Sequence, residues 1–384
     1  MTCERNGSAA GKGLALLLAI LVMLMSVSCS RPAPEADSLP EGEPDLRITS
    51  FDVGYDSEGE AILLQSEGCS LLMDTGSIMT GTVIEKLKKA KVTELEIYLS
   101  HWHDDHYGQI LNILYDDDFH VSRVYLPEPD AIEHLYNVEK YGHMPWWKDF
   151  QRHWNAYKEI LRALEEKKIE TVYLGQGSAF EVGSARGEVL YLDKEPYLDN
   201  SVSNTRSYIN NSSLATMITS AGGIRYLTCG DIEKETEGKI LQDGIDVSCN
   251  IFKMSHHGAK TSNTEEFLKA VSPEYAFYTI KEKKFNRKPF FLGDSVNRMI
   301  RYSTVFSGSR NGDIVFEIYG KMIVADAEKR TREETVVYKR ADGREVSRTV
   351  VSNMEAPAYL DSCALPEGAE YISGGEDMTV RTGH

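Results

Sequence analysis

The sequence predicts an α/β fold in which two β-sheets pack face to face with helices on the outside. Three observations carry that expectation. Short runs of alternating apolar and polar residues, bounded by Gly, Ser or Asn, recur along the 384-residue chain as half-buried strands require. Between them lie stretches whose apolar residues repeat at helical spacing. The order of several strands followed by helix-strand alternation then occurs twice, so each half builds a sheet with one face left for the other to cover.

The first half opens with strands over Leu46–Val53, Glu60–Gln65 and Cys69–Met73, an antiparallel meander ending at the turn Asp74-Thr75-Gly76. A helix over Met79–Lys89, a strand over Glu94–Leu99, a short helix over Gly108–Tyr115 and a strand over His120–Leu126 follow. Asp130–Lys168 reads as helical and gathers Trp146, Trp147, Phe150, Trp154 and Tyr157; with Trp102 it holds every tryptophan of the chain. Strands return at Ile169–Leu174, Ala179–Val182 and Glu188–Leu192.

A loop rich in Asn and Ser, Asn200–Ser213, leads into the second half. There, strands Leu214–Thr219 and Ile224–Thr228 join through Ala221-Gly222-Gly223, where a tight turn needs glycine. Helix Glu233–Leu241, strand Val247–Lys253, helix Thr264–Ala270, strand Tyr275–Ile280 and helix Ser295–Arg301 alternate, and a hairpin over Asp313–Ile318 and Lys321–Ala325 closes the domain. Beyond Glu328 a further hairpin is expected around Ala341-Asp342-Gly343, and the polar, Gly-rich residues from Asn353 onward read as weakly ordered.

The N-terminus is not part of the fold. Leu14–Met25 is an apolar run too short to span a bilayer comfortably, with Arg5 and Lys12 before it and small residues ending at Cys29 after it, the pattern of a secretory signal over residues 1–28. Ser26-Val27-Ser28-Cys29 resembles a bacterial lipoprotein cleavage box, with Ser26 where leucine is usual; Cys29 would then carry the lipid and residues 29–45 would be a tether to the bilayer. An uncleaved anchor and a plain secreted form are the alternatives, and all three place the domain outside the cytoplasm. The net charge of −17 removes the global attraction to phosphate backbones that nucleic-acid binders display, so no stable nucleic-acid complex is expected. Cys69, Cys229, Cys249 and Cys363 form no close pair, which excludes a zinc ribbon; the first three read as small core residues, with a Cys229–Cys249 disulfide left open by spacing.

Chemistry concentrates at Ser100–Gly108, where His101, His103, Asp105 and His106 fall within six residues directly after a strand. Imidazole nitrogens and carboxylate oxygens suit zinc and similar divalent ions, and the lack of cysteine favours an open catalytic site over a closed structural one. A single histidine would read as surface or satisfied core; the string as a whole reads as ligands. Two ions side by side need donors from other strand ends. Asp231, after Cys229-Gly230, can bridge them, and His256-His257 offers an imidazole to the second, the sequence leaving open which of the pair is the ligand.

In this order, His101-x-His103-x-Asp105-His106, Gly230-Asp231 and His256-His257-Gly258, preceded by Asp52-Val53-Gly54 and Asp74-Thr75-Gly76, resemble the metallo-β-lactamase superfamily. The likeness is greatest to the hydrolase domain of ComEC-type DNA-uptake proteins, which Asn210-Asn211-x-Ser213-Leu214 and Lys253–Ser262 also resemble. The resemblance implies an αββα four-layer sandwich over residues 46–327, with 328–384 as an added hairpin and tail. It implies a two-metal hydrolase holding zinc, or manganese, and acting through a metal-bridging hydroxide. His101 and His103 would hold the first ion, Asp105, His106 and one of His256 and His257 the second, with Asp105 and His257 also acting in catalysis. Two departures stand out. The third histidine of the first ion is missing, with Asn210 or Asn211 near its place and His120, His134, His143 and His153 elsewhere. The Tyr-Gly-His-Pro stretch of the uptake branch becomes Phe285–Pro289.

For substrate, the branch implies a phosphodiester in nucleic acid or in an envelope polymer, and Lys253, Lys260, Arg287 and Lys288 are placed to neutralise phosphate. Asn210, Asn211 and Trp102 are further candidate contacts; tryptophans gathered over the site would suit a phosphocholine group by cation–π contact, against core packing as the plainer account. A lactamase or lactonase, or a non-catalytic metal-binding surface module, are the alternatives.

Overall fold

The computed structural model describes residues 42–53, 59–78, 81–136, 138–196, 202–280, 293–300, 302–328, 332–339, 345–352 and 370–374. The signal segment with Cys29, nearly all of the tether, Cys363 and Phe285–Pro289 with Arg287 and Lys288 lie outside these residues.

Fifteen strands among them form two sheets. The first runs β15-β14-β1-β2-β3-β4-β5-β6, with β1 Leu46–Ser50, β2 Ile62–Ser66, β3 Cys69–Met73, β4 Glu94–Tyr98, β5 His120–Pro127, β6 Glu170–Leu174, β14 Ile314–Tyr319 and β15 Met322–Ala327. The second runs β13-β12-β11-β10-β9-β8-β7, with β7 Ala179–Val182, β8 Ala185–Tyr191, β9 Ala215–Thr219, β10 Arg225–Thr228, β11 Ile251–Lys253, β12 Tyr275–Tyr278 and β13 Thr304–Ser307. Each sheet is antiparallel over its first strands in chain order (β1-β2-β3 and β7-β8-β9-β10). Each is parallel over the strands that alternate with helices after them (β3-β4-β5-β6 and β10-β11-β12-β13).

Alternation along the strands makes the layers. Ile62 and Leu64 enter the space between the sheets while Leu63 turns to the helices; Leu71 and Met73 do the same against Leu72. In the second sheet Ile218, Tyr226, Ile251 and Phe277 face inward, and Met217, Leu227, Phe252 and Tyr278 face the outer helices. Three apolar cores therefore separate four layers, the αββα sandwich, and each fully buried Leu, Ile or Phe contributes about 1.5–3 kcal/mol.

Several expectations are corrected. Asn200–Ser213 is largely the helix Val202–Asn211, because Tyr208 and Ile209 bury themselves in the core under the helices and that packing overrides the weak helix preference of Asn and Ser. The stretch Asp130–Lys168 is three helices, Asp130–Leu135, Val138–Tyr141 and Trp147–Lys167. Cys69 is exposed at the start of β3 rather than in the core, whereas Cys229 and Cys249 are unbonded, as expected. The tail hairpin forms from β16 Arg332–Lys339 and β17 Glu345–Ser352, and β18 Glu370–Gly374, within the stretch read as weakly ordered, pairs with β16. Among the described residues no helix is long and apolar enough to cross a membrane.

Candidate metal centre

The carboxyl ends of β3, β4, β10 and β11 open on one edge of the sandwich, and each releases a chemically active loop there. From β3 comes Asp74, at φ +58. Its Oδ1 accepts from the Ser100 main-chain N at 2.7 Å and its Oδ2 from Ser100 Oγ at 2.7 Å, and Oδ2 also lies 2.7 Å from His106 Nδ1. A carboxylate accepts only, so His106 carries its proton on Nδ1 and turns the Nε2 lone pair the other way. Ser100 Oγ, already donating to Asp74, accepts from His101 Nδ1 at 3.0 Å and frees His101 Nε2 in the same manner.

Those nitrogens converge on Asp231. Its Oδ2 lies 3.3 Å from His106 Nε2, 3.2 Å from His257 Nε2 and 4.0 Å from His101 Nε2. Asp105 closes the other side, with Oδ2 at 3.3 Å from His257 Nε2 and Oδ1 at 3.9 Å from His106 Nε2. Four donors about 2.0–2.1 Å from a common zinc in tetrahedral array would be separated by about 3.3 Å. The His106, His257 and Asp231 spacings match that edge length, and both Nε2 atoms are buried without a satisfactory hydrogen bond. The residues fit a divalent ion.

The neighbouring pocket is thinner. His101 Nε2 and His103 Nδ1 stand 3.1 Å apart, with Asp231 as the adjacent carboxylate. At the place of the absent third histidine, Asn210 Nδ2 donates to Glu233 Oε1 at 2.9 Å, leaving Asn210 Oδ1 buried and unpartnered, and Asn211 Oδ1 accepts from Glu233 N at 2.9 Å. Asn211 is thereby spent on the fold, which corrects its expected role at the substrate. His153 also packs against the cluster, its ring centroid 5.1 Å from that of His103 and its Nδ1 3.2 Å from Tyr107 Oη.

Electrostatics follow from these contacts. Burial alone would lower His106, yet Asp231 and Asp74 hold it well above the ordinary imidazole range; His257, buried beside Asp231 and Asp105, is raised to about 9. Burial pushes His101 and His103 well down. Against its own burial, Asp231 is held well below the usual carboxylate range by His257, His106 and Lys253; Asp105 is held low by the neighbouring His257 and His106. Protons on His106 and His257 thus occupy the space that an ion would take.

The pair after β11 is resolved by its backbone. His256 and His257 both adopt left-handed conformations, φ +52 and +53, a departure that costs about 1–2 kcal/mol per residue and turns the two rings apart. His257 enters the centre, backed by Thr279 Oγ1 at 2.9 Å from Nδ1. His256, expected as a ligand, lies outside the donor set: Nδ1 meets Thr261 Oγ1 at 2.9 Å and Nε2 lies 3.5 Å from Asn210 Nδ2. Lys253 is fully buried in an ion pair with Glu60 and so is unavailable to a substrate phosphate, whereas Lys260 is exposed on the following turn. Trp102 is 3% exposed, packed edge-on to Tyr157 at 4.8 Å, and Trp146, Trp147 and Trp154 join the same core; the tryptophans are packing, not a cation cage. Asp74, Glu60 and Thr279, which hold the donors in place, were not singled out as site residues by the sequence.

No family model matches the chain. Among curated proteins it is similar to ComE operon protein 3 of Bacillus subtilis (strain 168), 28% identical over 130 residues, which are 34% of this chain and 15% of that protein. It is similar to competence protein ComA of Neisseria gonorrhoeae, 24% identical over 278 residues, 69% of this chain and 30% of that one. The chain therefore spans less than a third of the length of these relatives. The two-sheet sandwich, the edge position of the centre and the ordered histidine and aspartate motifs decide the fold. The chain has the metallo-β-lactamase fold. Similar solved structures include the metallo hydrolase Igni18 of Ignicoccus hospitalis, 12% identical, TM-score 0.40, covering 71% of this chain and 99% of that one. Another is the metallo-beta-lactamase fold protein YhfI of Bacillus subtilis, 12% identical, TM-score 0.36, covering 61% and 85%.

Proposed function

We propose that this metallo-β-lactamase-fold chain is a metal-dependent phosphodiesterase acting outside the cytoplasm on a phosphodiester-bearing polymer, nucleic acid or a phosphorylated envelope polymer. The carrying observation is the approach of His106 Nε2 and His257 Nε2 to one oxygen of the buried Asp231 at ligand-to-ligand spacing. Divalent ions held there, zinc or manganese, would supply Lewis acidity: they polarise a phosphoryl oxygen and make water nucleophilic near neutral pH. His101, His103, Asp105, His106, Asp231 and His257 would hold them. Asp105, 26% exposed in its side chain, is the carboxylate at the mouth of the centre and orients the attacking water. His256, braced by Thr261 and partly exposed, is placed to donate a hydrogen bond to a substrate oxygen. Likeness to a competence protein supports a nucleic acid, and the net charge of −17 favours brief encounters over a stable complex. An N-terminal lipid on Cys29 would hold the domain at a bilayer.

The purified chain loaded with zinc or manganese should cleave bis(p-nitrophenyl) phosphate and single-stranded DNA, and should leave nitrocefin and p-nitrophenyl phosphocholine intact. Stoichiometric metal with no turnover of any ester would sink the enzyme reading, and cleavage of nitrocefin alone would move it to a lactamase.

A further inference from the structure

Lys253, the last residue of β11, has no exposed surface. A lysine ammonium taken out of water costs several kcal/mol unless it is well paired, and here the pairing is specific. It forms an ion pair with the buried Glu60 carboxylate, donates to the Gly230 carbonyl at 2.9 Å and lies 3.4 Å from Asp231 Oδ1. The two carboxylates then diverge. Asp231 turns its other oxygen, Oδ2, toward His106 and His257. Glu60 is tied by its main chain to the other acidic loop: its N donates to the Asp105 carbonyl at 3.0 Å, and its carbonyl accepts from Gly76 N at 2.8 Å.

Geometry alone puts Glu60 in reach of the ion as well, since one donor atom each from Glu60, His106, Asp231 and His257 all lie within 4.8 Å of one another. The ammonium of Lys253 sits on the Glu60 carboxylate, nearer to it than the 3.4 Å that separates it from Asp231, so Glu60 is the main counter-charge of Lys253. A buried ion pair is commonly replaceable by apolar packing with no loss of stability, so its place in the fold is better accounted for by what it orients.

We infer that Lys253, backed by Glu60, is a positioning residue of the metal centre: it holds Asp231 by Oδ1, presents only Oδ2 to the histidines, and links that carboxylate to the Asp105 loop. The inference rests on the metal-centre reading above. A second account is a plain electrostatic brake, in which the ammonium merely repels a cation. The two accounts give opposite signs on removal of the charge.

The full chain, its Lys253→Met variant and its Glu60→Gln variant are stripped of metal, checked for folding by thermal unfolding, and titrated with cobalt(II) against a chromophoric chelator. Cobalt reports both affinity and, by its visible absorption, coordination geometry. Lys253→Met is expected to weaken binding on the order of 10–100-fold, the range usual for lost outer partners of metal ligands, and to change the cobalt spectrum. Glu60→Gln, which keeps an acceptor for Lys253 but removes the anchoring charge, should do the same to a smaller degree. Unchanged or tighter binding overturns the inference, as does weaker binding with an unaltered spectrum, which marks general loosening. If Lys253→Met does not fold, Glu60→Gln decides by the same criteria. A wild-type chain that takes up no ion overturns this inference together with the proposed function; a wild type that binds while both variants match it overturns this inference alone.

Discussion

His256 and His257 are adjacent, yet their surroundings give them different work. His257 is the nearer to both acidic loops, 3.2 Å from Asp231 and 3.3 Å from Asp105, while His256 is held by Thr261 at the rim. Replacing His257 with alanine should therefore remove an equivalent of bound metal, and His256→Ala should keep the full metal content while lowering kcat on bis(p-nitrophenyl) phosphate; elemental analysis beside turnover separates the two. The same residue governs pH behaviour. His257 is raised to about 9, so its contribution to the stability of the ion-free protein is complete below about pH 6.5 and is lost as pH rises through 9. His101 and His103 are depressed by burial, so theirs is present above about pH 6.5 and lost as pH falls. Ion-free protein should accordingly melt highest near pH 6.5, about where the two trends cross, and chemical denaturation across the range would reveal a flat profile if these assignments are wrong. Metal competes with the His257 proton, so affinity should rise with pH up to about 9.

At the scale of elements, the centre depends on how closely the β10 loop approaches the β4 loop. Gly230 has φ +52, and a Cβ there would come within 2.7 Å of Ser213 and 3.2 Å of Ser100. Ser213 Oγ accepts the Asp231 N–H at 3.0 Å, and Ser100 sits between Asp74 and His101, so an added methyl pushes on both halves at once. Gly230→Ala should cost about 1–2 kcal/mol from the backbone conformation alone, seen as a lowered melting temperature, with weaker metal binding beside it. The donors were legible in the sequence because His101 to His106, Asp231 and His257 each follow a strand whose alternation is plain. The helix Val202–Asn211 was not, since Asn and Ser carry loop signals and its burial is decided by Tyr208 and Ile209 meeting a distant core. The same holds for Glu60 and Lys253. A Glu at the start of one strand and a Lys at the end of another look solvated until two sheets bring them together. Trp102 misled in the opposite sense, since adjacency to the ligands in sequence says nothing of which way the ring packs.

At the scale of the molecule, the two sheets share the centre. The first supplies Asp74, His101, His103, Asp105 and His106 after β3 and β4, and the second supplies Asp231 and His257 after β10 and β11. An ion bound there ties one sheet to the other, so its binding energy is also energy of the closed sandwich. The two pockets are unequal, however. Asp105, His106, Asp231 and His257 are gathered at ligand spacing, whereas His101 and His103 have Asp231 at 4.0 Å and an asparagine where a third imidazole would be. Titration of the ion-free chain should then proceed in two steps, a tight equivalent followed by a weaker one. Melting temperature should climb mainly with the first; a free ion concentration of 100 times the dissociation constant stabilises by about 2.7 kcal/mol. His101→Ala should erase the weak step and leave the tight one, while Asp231→Ala should abolish both. A single step of two indistinguishable equivalents would mean that the asparagine at position 210 serves the first ion as well as a histidine does.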